Sequence, residues 1–191
     1  MTARRLSHAI AEGDGISVLV EVRDGAAART AEAGGAEGLV VRVAGGGWRG
    51  ETALPSLAFG PRPEDAAADG ADAVVLELAD DEDGLVAHLE RCHELGLEVV
   101  VRVRDDEELA WALEHVDPEI VLLSAERADD DQAALDRLLE LLPDVPAGKL
   151  AIAELGQASR EEVVELERAG VDAVLVFGDV EALVGDAVPD V

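Results

Sequence analysis

Short apolar runs rich in valine and leucine recur along the chain, and several are introduced in the same way. Ala68-Asp69-Gly70-Ala71-Asp72-Ala73-Val74-Val75, Glu94-Leu95-Gly96-Leu97-Glu98-Val99-Val100 and Arg168-Ala169-Gly170-Val171-Asp172-Ala173-Val174-Leu175 each end a polar, helix-like stretch with a glycine. An acidic residue and then the apolar run follow. The stretch from Ala33 to Val40 repeats the unit more loosely. Glycine just past a helix end takes the left-handed conformation at little cost. A brief Val-rich run fits a strand buried on both faces of a parallel sheet. The pattern predicts strands over 16–22, 38–44, 72–78, 97–103, 119–124, 149–154 and 172–177. It predicts helices over 24–34, 62–69, 82–95, 106–115, 130–142, 159–169 and 180–186. Leu85, His88, Leu89, Cys92 and Leu95 make one stripe at helical spacing. Ser159 with Glu162 has the form of a capping box, and Asp105 and Asp106 suit a helix start.

Strand and helix in alternation mean βαβ units and a parallel sheet. Seven strands are clear, and Leu54–Phe59 supplies an eighth. The link before it, Ala44-Gly45-Gly46-Gly47-Trp48-Arg49-Gly50-Glu51, is too short and glycine-rich for the dozen or so residues of a helical crossover. The expected fold is therefore one domain over 1–191, with 1–14 as an N-terminal segment. It is a shortened (β/α)8 barrel whose helix between strands 2 and 3 is missing and whose strand 3 is weak. At 191 residues the chain falls just below the ~200–250 usual for that fold. A doubly wound open sheet is the alternative, but no GxGxxG follows the first strand. Were Leu54–Phe59 not a strand, the sheet would have two exposed edges, and a homodimer covering them would be expected.

Composition narrows the partners. There are 43 acidic and 15 basic residues, a net charge of −28. Nucleic acids and anionic membranes are disfavoured as partners. No apolar run approaches a membrane span. The N-terminus has two arginines but no long apolar stretch, so it does not read as a secretory signal. Cys92 is the one cysteine, which excludes an internal disulfide, and the cytoplasm is the expected compartment. Lys149 is the sole lysine. The scarcity of lysine and the many Ala, Gly and Asp fit a GC-rich genome. The acid excess fits an acidic proteome working in high salt, a halophilic setting.

Three stretches carry a resemblance. They run from Leu19 to Val41, from Gly70 to Leu109 and from Leu150 to Val176. In order and spacing they resemble the first, the fourth and fifth, and the seventh and eighth units of indole-3-glycerol-phosphate synthases. That family is a TIM barrel of the ribulose-phosphate-binding type. The resemblance implies a carboxy-lyase of tryptophan biosynthesis that closes an indole ring on a carboxyphenylamino-deoxyribulose phosphate, with loss of carbon dioxide and water, and without metal or cofactor. It also implies where the chemistry departs. The family's Glu-x-Lys on the first strand is Glu21-Val22-Arg23 here. The lysine of its third strand has no counterpart in Leu54–Phe59. The catalytic glutamate of its fifth strand falls at Arg102. Its Asn-Asn-Arg becomes Ser124-Ala125-Glu126, and its Ser-Glu-Ser-Gly becomes Ala153-Glu154-Leu155-Gly156, keeping the Glu and the Gly. The phosphate-binding glycine of the eighth strand corresponds to Gly178, shifted by one residue through Phe177.

Side chains alternate along a strand, so Glu21 and Arg23, Arg102 and Arg104, and Arg42 are expected to point into the barrel near its mouth. Glu154 and Glu77 are candidates to stand among them. Two readings follow. In the first, Glu21 and Glu154 are the acid/base groups. Arg23, Arg42, Arg102, Arg104 and Ser124 then hold a phosphorylated or carboxylated small molecule, with Gly156 and Gly178 offering backbone N–H donors. In the second, each arginine meets a glutamate, and the result is a non-catalytic barrel with an internal Arg–Glu network, serving as a binding or interaction protein. Lys149 starts the seventh strand at the bottom, away from the face where such barrels do chemistry. The four histidines have no metal-ligand spacing, so no metal is expected. Cys92 reads as a small buried hydrophobe. Trp111 reads as packing on the barrel wall. Trp48 reads as pinning a loop on the active face.

Overall fold

The computed structural model describes residues 5–13, 15–42, 47–60, 62–78, 82–126, 128, 130–178, 180 and 183. Eight parallel strands close into one barrel in sequence order. They are β1 (Ser17–Glu21), β2 (Gly38–Val41), β3 (Ser56–Ala58), β4 (Ala73–Glu77), β5 (Glu98–Val103), β6 (Ile120–Ser124), β7 (Leu150–Gly156) and β8 (Ala173–Val176). β3 is the weak strand expected at Leu54–Phe59, three residues long and paired on both sides. β1 pairs with β8 as well as β2, Ser17 standing opposite Ala173. The closed sheet has no open edge of the kind that would have called for a covering dimer.

The helices are α1 (Arg5–Glu12), α2 (Gly25–Ala33), α3 (Pro63–Asp69), α4 (Glu82–Leu95), α5 (Asp106–His115), α6 (Asp131–Leu141) and α7 (Arg160–Ala169). Their starts use the predicted chemistry. Ser159 and Glu162 form a reciprocal capping box. Asp105 accepts from the Glu108 amide, and Asp130 from that of Ala133. The helix expected over 180–186 lies largely outside the described residues. So do the side chains of the acidic run 80–83.

The repeated acidic residue has a structural task at the barrel's bottom. Asp72 accepts from the Ser56 amide and Asp172 from that of Ala151, so each ties the start of its own strand to the start of the one before. Glu98 does something different. It accepts the amides of Leu6 and Ser7 at the N-terminus of α1, where a carboxylate also meets the positive helix end. α1 was not expected from the sequence. Its Leu6 and Ile10, one turn apart, are buried among the inward residues Leu19, Leu57, Val100, Ile120, Ile152 and Leu175. The barrel is thus packed from below, and each fully buried leucine contributes roughly 1.5–3 kcal/mol.

A second apolar layer joins the outer strand faces to the helices, for example Val101, Val121 and Val174 with Leu109, Leu138 and Leu166. Between β2 and β3 no helix is present among the described residues. Trp48 is buried there in the same cluster as Leu39 and Val41. The loop is fastened to α2 by the Arg29–Glu51 ion pair and by the Ala53 amide on Glu32. Trp48 does pin the loop, but not at the active face. It lines a hollow with Arg5, Asp72 and Leu97, at the end where the strands begin.

Candidate functional site

At the C-terminal ends of the strands, each strand contributes one residue to a ring of contacts. β1, β4, β5, β6 and β7 contribute Glu21, Glu77, Arg102, Ser124 and Glu154. Arg42, Phe59 and Phe177 stand one position beyond β2, β3 and β8. Strand alternation turns these side chains inward, one level above the apolar filling.

Arg102 is the centre of the ring. Its Nε and Nη2 both reach Glu154 Oε2, at 2.8 and 2.7 Å. Nη2 also donates to Ser124 Oγ at 2.8 Å. Nη1 donates to Glu77 at 3.1 Å and lies 3.2 Å from Glu126. Arg42 donates from Nε to Glu21 at 2.7 Å and from Nη2 to the other oxygen of Glu154 at 2.8 Å. Its guanidinium lies 3.9 Å from the centre of the Phe59 ring and 5.4 Å from that of Phe177, within cation–π range. Burial works against the charge on Arg102. Glu154 first, then Glu77 and Glu126, outweigh it, so the guanidinium is held above its ordinary pKa. Among the described residues four glutamates thus surround two arginines, a local excess of carboxylate.

Of the expected site residues, Glu21, Arg42, Arg102, Ser124 and Glu154 meet in this ring. Two arginines do not. Arg104 gives its backbone amide and its Nε to Glu108 in the first turn of α5, and that hydrogen bond raises its pKa. A partner four residues on, in the helix that follows, turns it away from the ring. Arg23 lies exposed at the bend into α2, past the end of β1, where strand alternation no longer directs it. Gly156 and Gly178 both take left-handed backbone, with φ of 74° and 118°. The register of β7 against β8 shifts between Glu154 and Gly156, an irregularity of the kind found at barrel rims. Sequence reasoning missed Phe59 and Phe177 as ring members. The signal was available, since each directly follows an apolar strand in a chain with only two phenylalanines.

A hollow of about 470 Å³ opens over the ring, walled by Arg42, Arg102, Ser124, Glu126, Glu154 and Phe177. Lys149 is at the opposite end of β7, its Nζ 2.5 Å from Asp117. Among the described residues no group of three or more His, Cys, Asp or Glu is placed to hold a metal ion. Among them, too, no helix is long and apolar enough to cross a membrane. Cys92 is fully buried, and burial pushes its thiol up to about 11. Trp111 stacks on His115 one turn away in α5.

A family model described as indole-3-glycerol phosphate synthase matches residues 63–185. Two curated proteins named indole-3-glycerol phosphate synthase are similar over 108 residues, 56% of this chain. The one from Variovorax paradoxus is 37% identical and that from Chlorobium limicola 35%. The match spans only 40% and 42% of those relatives' own lengths. Among solved structures, an N-acetylmannosamine-6-phosphate 2-epimerase from Clostridium perfringens superposes with a TM-score of 0.68 at 15% identity, over 87% of this chain and 88% of that one. A phosphoenolpyruvate phosphomutase from Streptomyces platensis does so with a TM-score of 0.66 at 16% identity, over 92% and 80%. At those identities the two structures speak for the barrel fold alone.

Proposed function

The chain belongs to the indole-3-glycerol phosphate synthase family, and on that premise we propose that it is a divergent member that binds a small polar molecule at the barrel mouth without the family's ring-closing chemistry. The observation that carries this reading is the saturation of Arg102. Its three nitrogens are taken up by Glu154, Glu77 and Ser124. Both oxygens of Glu154 in turn accept from guanidiniums.

Ring closure with dehydration needs a group that gives up a proton near neutral pH. Arginine does not, because it stays charged, and the one lysine is at the far end of the barrel. The ring is also poorly suited to an anion. A phosphate or carboxylate would have to displace a glutamate from an arginine and then sit among the remaining carboxylates.

A second reading has one observation in its favour, the open hollow above the ring. In it the barrel remains a carboxy-lyase of tryptophan biosynthesis acting on a phosphorylated, carboxylated substrate in the cytoplasm. Glu21 and Glu154 then act as acid and base, with Arg42 and Arg102 on the substrate's anionic groups.

One assay separates the two. The protein is offered carboxyphenylamino-deoxyribulose phosphate in concentrated potassium chloride, and indole fluorescence is followed. No turnover is expected. Turnover that is lost in Glu21→Gln and Glu154→Gln would establish the lyase reading instead.

A further inference from the structure

We infer that Phe177 is a specificity-determining residue: its ring covers the glycine turn at the end of β7 and closes the mouth to a phosphate group, so the ligand is an unphosphorylated molecule. The inference deepens the proposed function and rests on the mouth hollow being the ligand site.

In (β/α)8 barrels the loops after strands 7 and 8 frequently form a phosphate site, because left-handed turns there present backbone N–H groups that converge on an anion. This chain has left-handed turns at both places. Gly156 ends β7 with φ of 74°, and Gly178 follows β8 with φ of 118°. Residue 177 lies between them. The Phe177 amide donates to the Gly156 carbonyl at 2.5 Å. A side-chain carbon built on Gly156 would come within 3.2 Å of the Phe177 ring. The ring therefore lies against the face of Gly156 that glycine leaves bare. Among the described residues nothing lies within 4 Å of the same position on Gly178, so among them the obstruction comes from Phe177 at Gly156.

Two further observations fit. Phe177 is 40% exposed, one of two large apolar side chains so placed among the described residues, and it forms part of the hollow's wall. Among the described residues the nearest guanidinium, Arg42, is bonded to Glu21 and Glu154 and lies against both phenylalanine rings. It is not free to meet a phosphate.

Titration calorimetry with inorganic phosphate, in concentrated potassium chloride, tests the inference on the full chain and on Phe177→Gly. Phe177→Ala serves as a second variant, and circular dichroism melts confirm that each folds. The natural protein is expected to give no phosphate binding. Phe177→Gly is expected to bind it with a dissociation constant at least about tenfold below the weakest that the titration of the natural protein would detect, and Phe177→Ala to fall between. Phosphate binding by the natural protein at the strength seen in Phe177→Gly would overturn the inference. So would the absence of binding in all three folded proteins, since the ring would not then be what excludes the anion. Both results leave the turnover assay untouched, so failure here is distinct from failure of the proposed function.

Discussion

Arg102 and Glu154 bury opposite charges 2.7 Å apart, with each side chain about one-tenth exposed. A charge withdrawn from water is stabilised only while its partner stays. Arg102→Met leaves Glu154 with Arg42 as its one cationic partner among the described residues, and the expected loss is about 3–5 kcal/mol. Replacing both charges, as in Arg102→Met with Glu154→Leu, is expected to recover most of that loss, because an apolar pair needs no compensation. Urea unfolding at fixed salt measures both. A loss under about 1 kcal/mol for the single variant, as for an exposed pair, would show that the ring does not hold the mouth together. At this same scale the sequence was partly legible. Strand parity identified Glu21, Arg42 and Arg102 as inward, and the family resemblance added Ser124 and Glu154. Parity failed for Arg104, whose partner Glu108 lies in the next helix, and for Arg23, which stands beyond the strand.

Besides its polar ties to α2, the loop between β2 and β3 is held by one large side chain. Trp48 is buried against the outer face of β2, yet its indole N–H has no hydrogen-bond partner among the described residues. Burial and an unmet donor work in opposite directions. Trp48→Ala removes the packing and is expected to cost about 3–5 kcal/mol. Trp48→Phe keeps most of the packing and removes the unmet donor, so its change is expected to stay within about 1.5 kcal/mol. Thermal melts of the two variants check this. Equal losses in both would mean that the N–H finds a partner in solution. α1 shows the opposite limit of element-level reading. Its eight residues carry a recognisable apolar pair, Leu6 and Ile10. The carboxylate that meets its first amides comes from Glu98, more than ninety positions away. No local pattern reveals such a helix start.

For the whole molecule, the net charge of −28 is the dominant electrostatic fact. Repulsion among these charges reaches about 10 Å in ~0.1 M salt and about 3 Å in ~1 M. We expect the melting temperature to rise steeply as potassium chloride is raised between about those two concentrations, with most of the gain coming from screening. A melting temperature flat over that range would remove the salt-adapted reading of the composition. The mouth ring is expected to respond least, since buried pairs are screened much less than exposed ones. Closure of the barrel sets this apart from an open sheet. With β1 paired to β8, the strand ends at one face are brought into a single ring.

From the order of residues alone follow the alternation of strand and helix, the place of nearly every element, a link between β2 and β3 too short for a helical crossover, and the barrel that these imply. Those features follow from short-range causes: the two-residue period of a strand, the 3.6-residue period of a helix and the left-handed glycine that ends it. Which inward residues meet is settled in three dimensions. That Arg102 takes Glu154 from two strands away, that Phe177 leans on Gly156, and that α1 fills the bottom of the barrel depend on how far each strand is staggered against the next. That stagger is a property of the closed sheet as a whole, and no local stretch of the chain encodes it.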